Sequence, residues 1–337
     1  MKVLLAGGAG YIGSHTAYCL LDKGYDVVVM DNLCNASPEA LRRVEKMTGK
    51  QVTLEVGDCT DVNRTREVFA AHRPDAVIHF AGLKAVGESV AKPLYYYQNN
   101  LIATMTLCQV MKEYDCSILV FSSSATVYGT ATEMPLKEEH IASCTNPYAW
   151  TKWMSERILS DVAKTDDSRS FVLLRYFNPI GAHESGIIGE DPSGIPNNLM
   201  PFICQVASGK LDYLRVFGDD YPTRDGTGER DYIHVMDLAE GHVAAIEYAK
   251  DHKGVEAFNL GTGTAYSVLD IVKNFEKAND LKIPYQVTPR RPGDISVCYA
   301  DATKAKEILH WEAKRDLYTM CRDAWNWQKQ NPRGYEG

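Results

Sequence analysis

Tyr148 and Lys152 stand four residues apart in Tyr148-Ala149-Trp150-Thr151-Lys152, directly after Asn146-Pro147. On a helix that spacing places both side chains on one face. A neighbouring ammonium lowers a phenol's pKa, which makes Tyr148 a usable base near neutral pH. Ser124 lies upstream at the end of an apolar run, where its hydroxyl can bridge the tyrosine oxygen and a substrate oxygen. Taken alone, a Tyr–Lys pair on a helix is more often packing plus a solvated charge. The context decides.

That context begins at the start of the chain. Gly7-Gly8-Ala9-Gly10-Tyr11-Ile12-Gly13 is a G-x-x-G-x-x-G loop between an apolar run, Lys2–Ala6, and a stretch of helical spacing, Tyr11–Lys23. Glycines let the backbone turn tightly and approach a pyrophosphate, which then sits on a helix N-terminus. Asp31 follows Gly13 by 18 residues, where a carboxylate can accept from ribose hydroxyls. It would repel a 2′-phosphate, so NAD is expected rather than NADP. Asp58, in Gly57-Asp58-Cys59, either bonds an adenine amino group or caps a turn, and spacing does not separate the two.

The elements that must position these residues alternate. Short apolar runs recur at Lys2–Ala6, Asp26–Met30, Val52–Val56, Ala76–Phe80, Ile118–Ser122 and Phe171–Tyr176, with helix-like segments between them. Strands alternating with helices imply an α/β fold, a doubly wound (Rossmann) parallel sheet covered on both faces. After Asn178 the texture changes to Gly- and Pro-rich loops at Asn178–Asn198 and Gly218–Gly228. Such loops commonly carry substrate contacts. The reading is a first domain over 1–177 and a smaller C-terminal α/β domain over 178–337, with an expected helix at Asp231–Lys250 that returns to the first domain.

Composition narrows the classes. The chain has 337 residues, and its 36 Lys and Arg against 44 Asp and Glu give a net charge of −8. That balance argues against a general nucleic-acid or anionic-membrane binder. Nine scattered cysteines without a C-x-x-C pair read as reduced thiols in a cytoplasmic protein. No metal site is indicated. Glycines break the initial apolar run before it resembles a signal peptide, and no stretch approaches the roughly 18 apolar residues of a membrane span. Leu94–Met111 is apolar on more than one helical face, so it is either buried in the monomer or shared with a partner.

Several longer strings carry a resemblance: His79–Ser89, Ser122–Gly129, Tyr148–Lys152, Arg175–Pro179, Gly194–Pro201 and Arg230–Val235, beside the glycine loop. Along essentially its whole length the chain resembles the extended short-chain dehydrogenase/reductases, and within them the UDP-glucose (UDP-galactose) 4-epimerase family. Ala6 departs from many relatives, which carry Thr before the glycines.

The resemblance implies an isomerase of galactose metabolism that epimerises C4 of a UDP-sugar through a transient 4-keto sugar, with tightly bound NAD. Tyr148 would take the 4-hydroxyl proton, Lys152 hold the nicotinamide ribose and keep Tyr148 ionised, and Ser124 relay the hydrogen bond. Gly7, Gly10, Tyr11, Ile12, Gly13, Asp31, Asn32, Asp58, Cys59, Phe80, Ala81, Gly82, Lys84, Asn99, Ser122 and Phe177 would line the cofactor, along with Tyr148 and Lys152. The setting of Lys84 between Ala81-Gly82 and Gly87 makes solvent exposure less natural. Asn178, Asn198, Leu199, Arg215, Phe217, Arg230, Arg291, Asp294 and Cys298 would line the substrate, with Lys84, Ser124 and Tyr148. A pair of arginines suits a diphosphate.

Two positions sharpen the expectation. Sugar-nucleotide 4,6-dehydratases place Asp-Glu after the active-site hydroxyl residue, whereas Ala125 and Thr126 stand here and exchange no protons near pH 7. Cys298 matches a position beside the sugar 2-substituent, where a small residue leaves room for an N-acetyl group. It is otherwise a small buried hydrophobe. The same resemblance implies a homodimer through the Leu94–Met111 and Tyr148 helices. Rival readings are another UDP-sugar epimerase or C6-decarboxylase, and a non-catalytic NAD sensor, which would typically lack the tyrosine or lysine.

Overall fold

The computed structural model describes residues 1–140, 143–192, 196, 198–291 and 294–336. Its strands in chain order are β1 (Lys2–Ala6), β2 (Asp26–Asp31), β3 (Thr53–Val56), β4 (Ala76–His79), β5 (Ile118–Ser124), β6 (Ser170–Tyr176), β7 (Asn178–Ile180), β8 (Leu214–Phe217), β9 (Glu229–His234), β10 (Gly254–Leu260), β11 (Ala265–Ser267), β12 (Tyr285–Thr288) and β13 (Val297–Cys298). Seven of them form one parallel sheet in the order β3-β2-β1-β4-β5-β6-β10.

The period of two along each strand divides the core. On β1, Val3 and Leu5 enter a cluster with Leu20, Leu41, Leu238 and Ile246. Leu4 and Ala6 enter the opposite cluster with Phe69, Leu107 and Leu159. Each face is therefore sealed by helices, and β6 is buried at every position. Strand order reverses between β1 and β4, so a crevice opens at the carboxyl ends there.

The helix Val235–Asp251 packs into the first of those clusters, and β10 then extends the sheet beside β6. The expected helix from Asp231 is shorter than the sequence suggests. Residues Asp231–His234 are strand, because β9 lies between β11 and β13 and also pairs with β7. The Asp231 carboxylate is buried there, accepting from the amides of Thr262 and Gly263. Only then does His234 cap the helix by accepting from Met236 N.

The strands β7, β8, β9, β11, β12 and β13 make two smaller sheets beside a third core, which includes Ile203, Val216, Ile271, Phe275 and Met320. All nine cysteines are free thiols, and all but Cys34 are buried. No helix among the described residues is long and apolar enough to cross a membrane.

Candidate active site

The helix Pro147–Ala163 starts sharply. Asn146 is extended, its side chain accepts from Ala149 N at 2.9 Å, and Pro147 fills the first turn. Such a cap stabilises a helix by about 1 kcal/mol. It fixes Tyr148 and Lys152 one turn apart at the carboxyl end of β5.

Lys152 is 7% exposed, and its Nζ donates to the Ser122 carbonyl at 2.6 Å. Its Nζ lies 5.9 Å from the Tyr148 ring centroid. Burial pulls the ammonium down to a pKa of about 8, opposed by Glu156 one turn further along. Tyr148 differs from expectation: burial raises its phenol above the ordinary value, and the only opposing influence is the hydrogen bond with Ser124. The physical reason is direction, since Lys152 spends its short contact on a backbone carbonyl rather than on the phenol.

Ser124 is oriented by a residue with no motif of its own. Thr126 donates to Ser124 Oγ from both its amide, at 3.2 Å, and its hydroxyl, at 3.0 Å. The Ser124 proton is thereby left for Tyr148.

The glycine loop has the shape of a pyrophosphate cradle. Gly7 has φ +76°, and a Cβ there would meet Ala81 N at 2.5 Å. One on Gly13 would meet Gly8 Cα at 2.6 Å, whereas Gly10 faces open space, with its nearest atom at 4.0 Å. Gly10 also begins the helix Tyr11–Asp22 with no side-chain cap, so the first-turn amides near Tyr11 and Ile12 are left for an anion. Tyr11 sends its phenol across to the Gly181 carbonyl at 2.7 Å.

Asp31 closes β2 and accepts from Ala9 N at 3.0 Å and Leu33 N at 2.8 Å, which holds the loop against the next turn. These residues fit a dinucleotide. Asp58 shows the turn-capping geometry, accepting from Thr60 N and from Asn32 Nδ2. Cys59 is buried beside it.

Phe80 and Ala81 both donate to the Ala6 carbonyl, at 2.7 and 2.8 Å, continuing the crevice between β1 and β4. Asn99 donates to Asn100, which in turn accepts from Leu83 N at 2.8 Å. Tyr96, unsignalled in sequence, accepts from Ala85 N and donates to Glu88. Lys84 corrects an expectation: its side chain is 58% exposed, 3.8 Å from the Glu190 carboxylate. The segment around it is ordered by its backbone partners, which leaves the long side chain free to stand out over the cleft. Asn198 reaches the same Glu190 at 3.4 Å.

On the far side of the cleft, β13 places Cys298 in register with Arg230 on β9. Arg291 stands 4.6 Å over the Phe217 ring and 3.2 Å from Asp294. Arg215 is exposed two residues before Phe217 on β8. Cys298 is buried in a cluster with Val127, Tyr128 and Phe177, joining this side to the turn after Ser124. Asn178 is exposed at the start of β7, and Leu199 is partly buried at the start of the helix Leu199–Ala207. Of the Gly194–Pro201 string, Gly194, Ile195 and Asn197 lie outside the described residues.

The sequence model of a family described as GDP-mannose 4,6 dehydratase matches residues 4–324. The chain is 58% identical to the UDP-glucose 4-epimerase of Bacillus subtilis (strain 168), covering 100% of this chain and 99% of that one. Its fold superposes with a TM-score of 0.96 on UDP-glucose 4-epimerase from Bifidobacterium longum in complex with NAD+ and UDP, 55% identical, covering 99% and 100% of the two chains. The UDP-Glc/GlcNAc 4-epimerase from Campylobacter jejuni is 35% identical, with a TM-score of 0.85 over 98% and 99%. A strand end carrying Ser124 against the helix of Tyr148 and Lys152, beside an uncapped glycine loop, with this likeness along the full length, places the chain in the UDP-glucose 4-epimerase family, within the larger family described as GDP-mannose 4,6 dehydratase.

Proposed function

We propose that the protein interconverts UDP-glucose and UDP-galactose by epimerisation at C4, using NAD that stays bound through the cycle. The observation that carries this reading is the meeting of Ser124, at the end of β5, with the capped helix of Tyr148 and Lys152, whose ammonium is anchored on the Ser122 carbonyl of the same strand. When bound, NAD would supply the hydride acceptor and donor for the sugar carbon, its nicotinamide ring positively charged only while it does not hold the hydride. Tyr148 accepts the 4-hydroxyl proton and later returns it. Ser124 steadies the phenolate and the sugar oxygen, its own orientation set by Thr126. In the loaded enzyme Lys152 holds a ribose hydroxyl, and only there does its charge join that of the nicotinamide in favouring the phenolate.

Residues 1–177, with the helix Val235–Asp251 and β10, form the cofactor unit, and the remaining C-terminal elements the UDP-sugar unit. Arg230 and Arg291 neutralise the diphosphate. Cys298, small and set against Phe177, leaves room for a 2-N-acetyl group, so the UDP-GlcNAc/UDP-GalNAc pair is a second substrate pair. The Campylobacter jejuni relative is itself named for both.

The protein works as a cytoplasmic homodimer in galactose metabolism. Leu94, Ile102 and Met105 on the helix Pro93–Glu113, and Met154 on its packed neighbour, leave an apolar face outward at 73, 40, 46 and 38% exposure. The test is an ultraviolet spectrum of the denatured protein, with turnover of UDP-galactose and UDP-GalNAc without added cofactor. Released NAD and turnover support the reading; no NAD and silence on both sugars overturn it.

A further inference from the structure

Glu156 lies on the helix of Tyr148 and Lys152, at the next i+4 position, and is 3% exposed. Its carboxylate accepts two hydrogen bonds from Arg175 on β6, at 3.0 and 2.8 Å, and one from Ser123 on β5, at 2.5 Å. Arg175 also donates to Tyr128 and to the Glu138 carbonyl. One buried carboxylate thus joins three elements: the helix of the base, the residue before Ser124, and the strand that runs into Phe177 and Asn178.

We propose that Glu156 is a positioning residue for this reaction: held by Arg175 and Ser123, it locks the Tyr148 helix onto the Ser124 strand and places the negative charge that Lys152 faces. Arg175 orients the carboxylate and, together with Ser123, occupies most of its lone pairs, so Glu156 acts on Lys152 through the field rather than through a proton. The other titratable groups around the pair carry little charge at pH 7. Burial holds His79 at a pKa of about 3, Tyr128 up at about 12 and Cys144 up at about 11, and raises Tyr148 and Tyr176 as well. Glu138 lies beyond Arg175, bonded to Asn259 N. Removing the Glu156 charge therefore makes Lys152 give up its proton at lower pH.

This rests on the epimerase reading, so the test has an arm that needs no turnover. In holoenzyme carrying Glu156→Gln, NAD content and KM for UDP-galactose are expected to stay within about threefold of the unmodified protein. The alkaline limb of kcat moves down by about one pH unit, and kcat at pH 8.5 falls about fivefold to tenfold. Glu156→Asp, which keeps the charge, recovers most of the limb.

The double variant Glu156→Leu with Arg175→Met removes the ion pair as a unit and is expected to regain thermal stability. It keeps the shifted limb, which a merely structural role would restore. It also carries the test should Glu156→Gln fold poorly. The second arm follows the Lys152 Nζ resonance against pH in protein labelled with 15N-lysine, assigned with Lys152→Met. A downward shift in both variants supports the proposal even in a chain that turns over no UDP-galactose, where it is the functional reading that fails. An unmoved Lys152 titration and an unmoved alkaline limb in folded Glu156→Gln protein, or a restored limb in the double variant, overturn it.

Discussion

Lys152 donates to the carbonyl oxygen of Ser122 at 2.6 Å, two residues before Ser124 on the same strand. The bond clamps the helix of the base to the strand of the relay, and it keeps the ammonium off the phenol. Tyr148 is therefore a weak base until a ligand brings further positive charge to it.

Tyr148→Phe removes the proton acceptor while keeping the ring. NAD released on denaturation is expected at the level of the unmodified protein, with turnover of UDP-galactose reduced about 10²–10⁴-fold, the usual worth of a general base. Retained turnover would refute the assignment of Tyr148 as base.

Gly10 and Gly13 should separate binding from folding. Gly13→Ala drives a Cβ into the Gly8 backbone at 2.6 Å and is expected to lower Tm sharply. Gly10→Ala meets nothing closer than 4.0 Å and sits at φ −76°, so Tm of the NAD-free protein should hold. Its new methyl occupies the open space that a pyrophosphate needs, so calorimetric NAD affinity should fall at least about tenfold.

Acid unfolding should be steep. Burial lowers His15 and His79 to pKa values of about 3, and His242 to about 4, so all three are neutral in the folded protein from pH 6.5 down to about pH 5. In the unfolded chain they protonate near 6.5. The unfolded state then binds more protons, and stability is lost as pH falls from about 6.5 towards 4. With all three contributing, the slope approaches about 4 kcal/mol per pH unit. Denaturant titrations at pH 7, 6 and 5 check this, and a flat stability over that range would contradict it.

Cys298→Tyr fills the space beside Phe177 and Tyr128. It is expected to cut UDP-GalNAc turnover at least about tenfold while UDP-galactose turnover stays within about threefold. Equal losses on both sugars would mean that Cys298 only packs.

Met105→Glu places a charge on the exposed face shared by Leu94, Ile102 and Met154. Sedimentation is expected to show a monomer where the unmodified protein sediments as a dimer, with the thermal transition otherwise intact. An unmodified protein that sediments as a monomer would refute the dimer.

The alternation of strands and helices, the glycine loop and the Tyr148/Lys152 spacing were legible in the chain because each depends on local periods of two or 3.6 residues and on glycines within a few positions of one another. Asp31 was legible for the same reason, since it ends a β-rich run at a fixed distance from the loop. What tertiary structure alone decided are relations between residues far apart in sequence. Asp231 reads as the start of a helix until β7, β11 and β13 surround it as strand. Lys84 looks enclosed in sequence, yet stands over the cleft beside Glu190. The phenol of Tyr148 is raised rather than lowered, because charge acts through distance and burial, and neither is written in a four-residue spacing. Glu156 was one more i+4 step along the same helix, but only packing of β5 and β6 against that helix turned it into the partner of Arg175, Ser123 and Lys152.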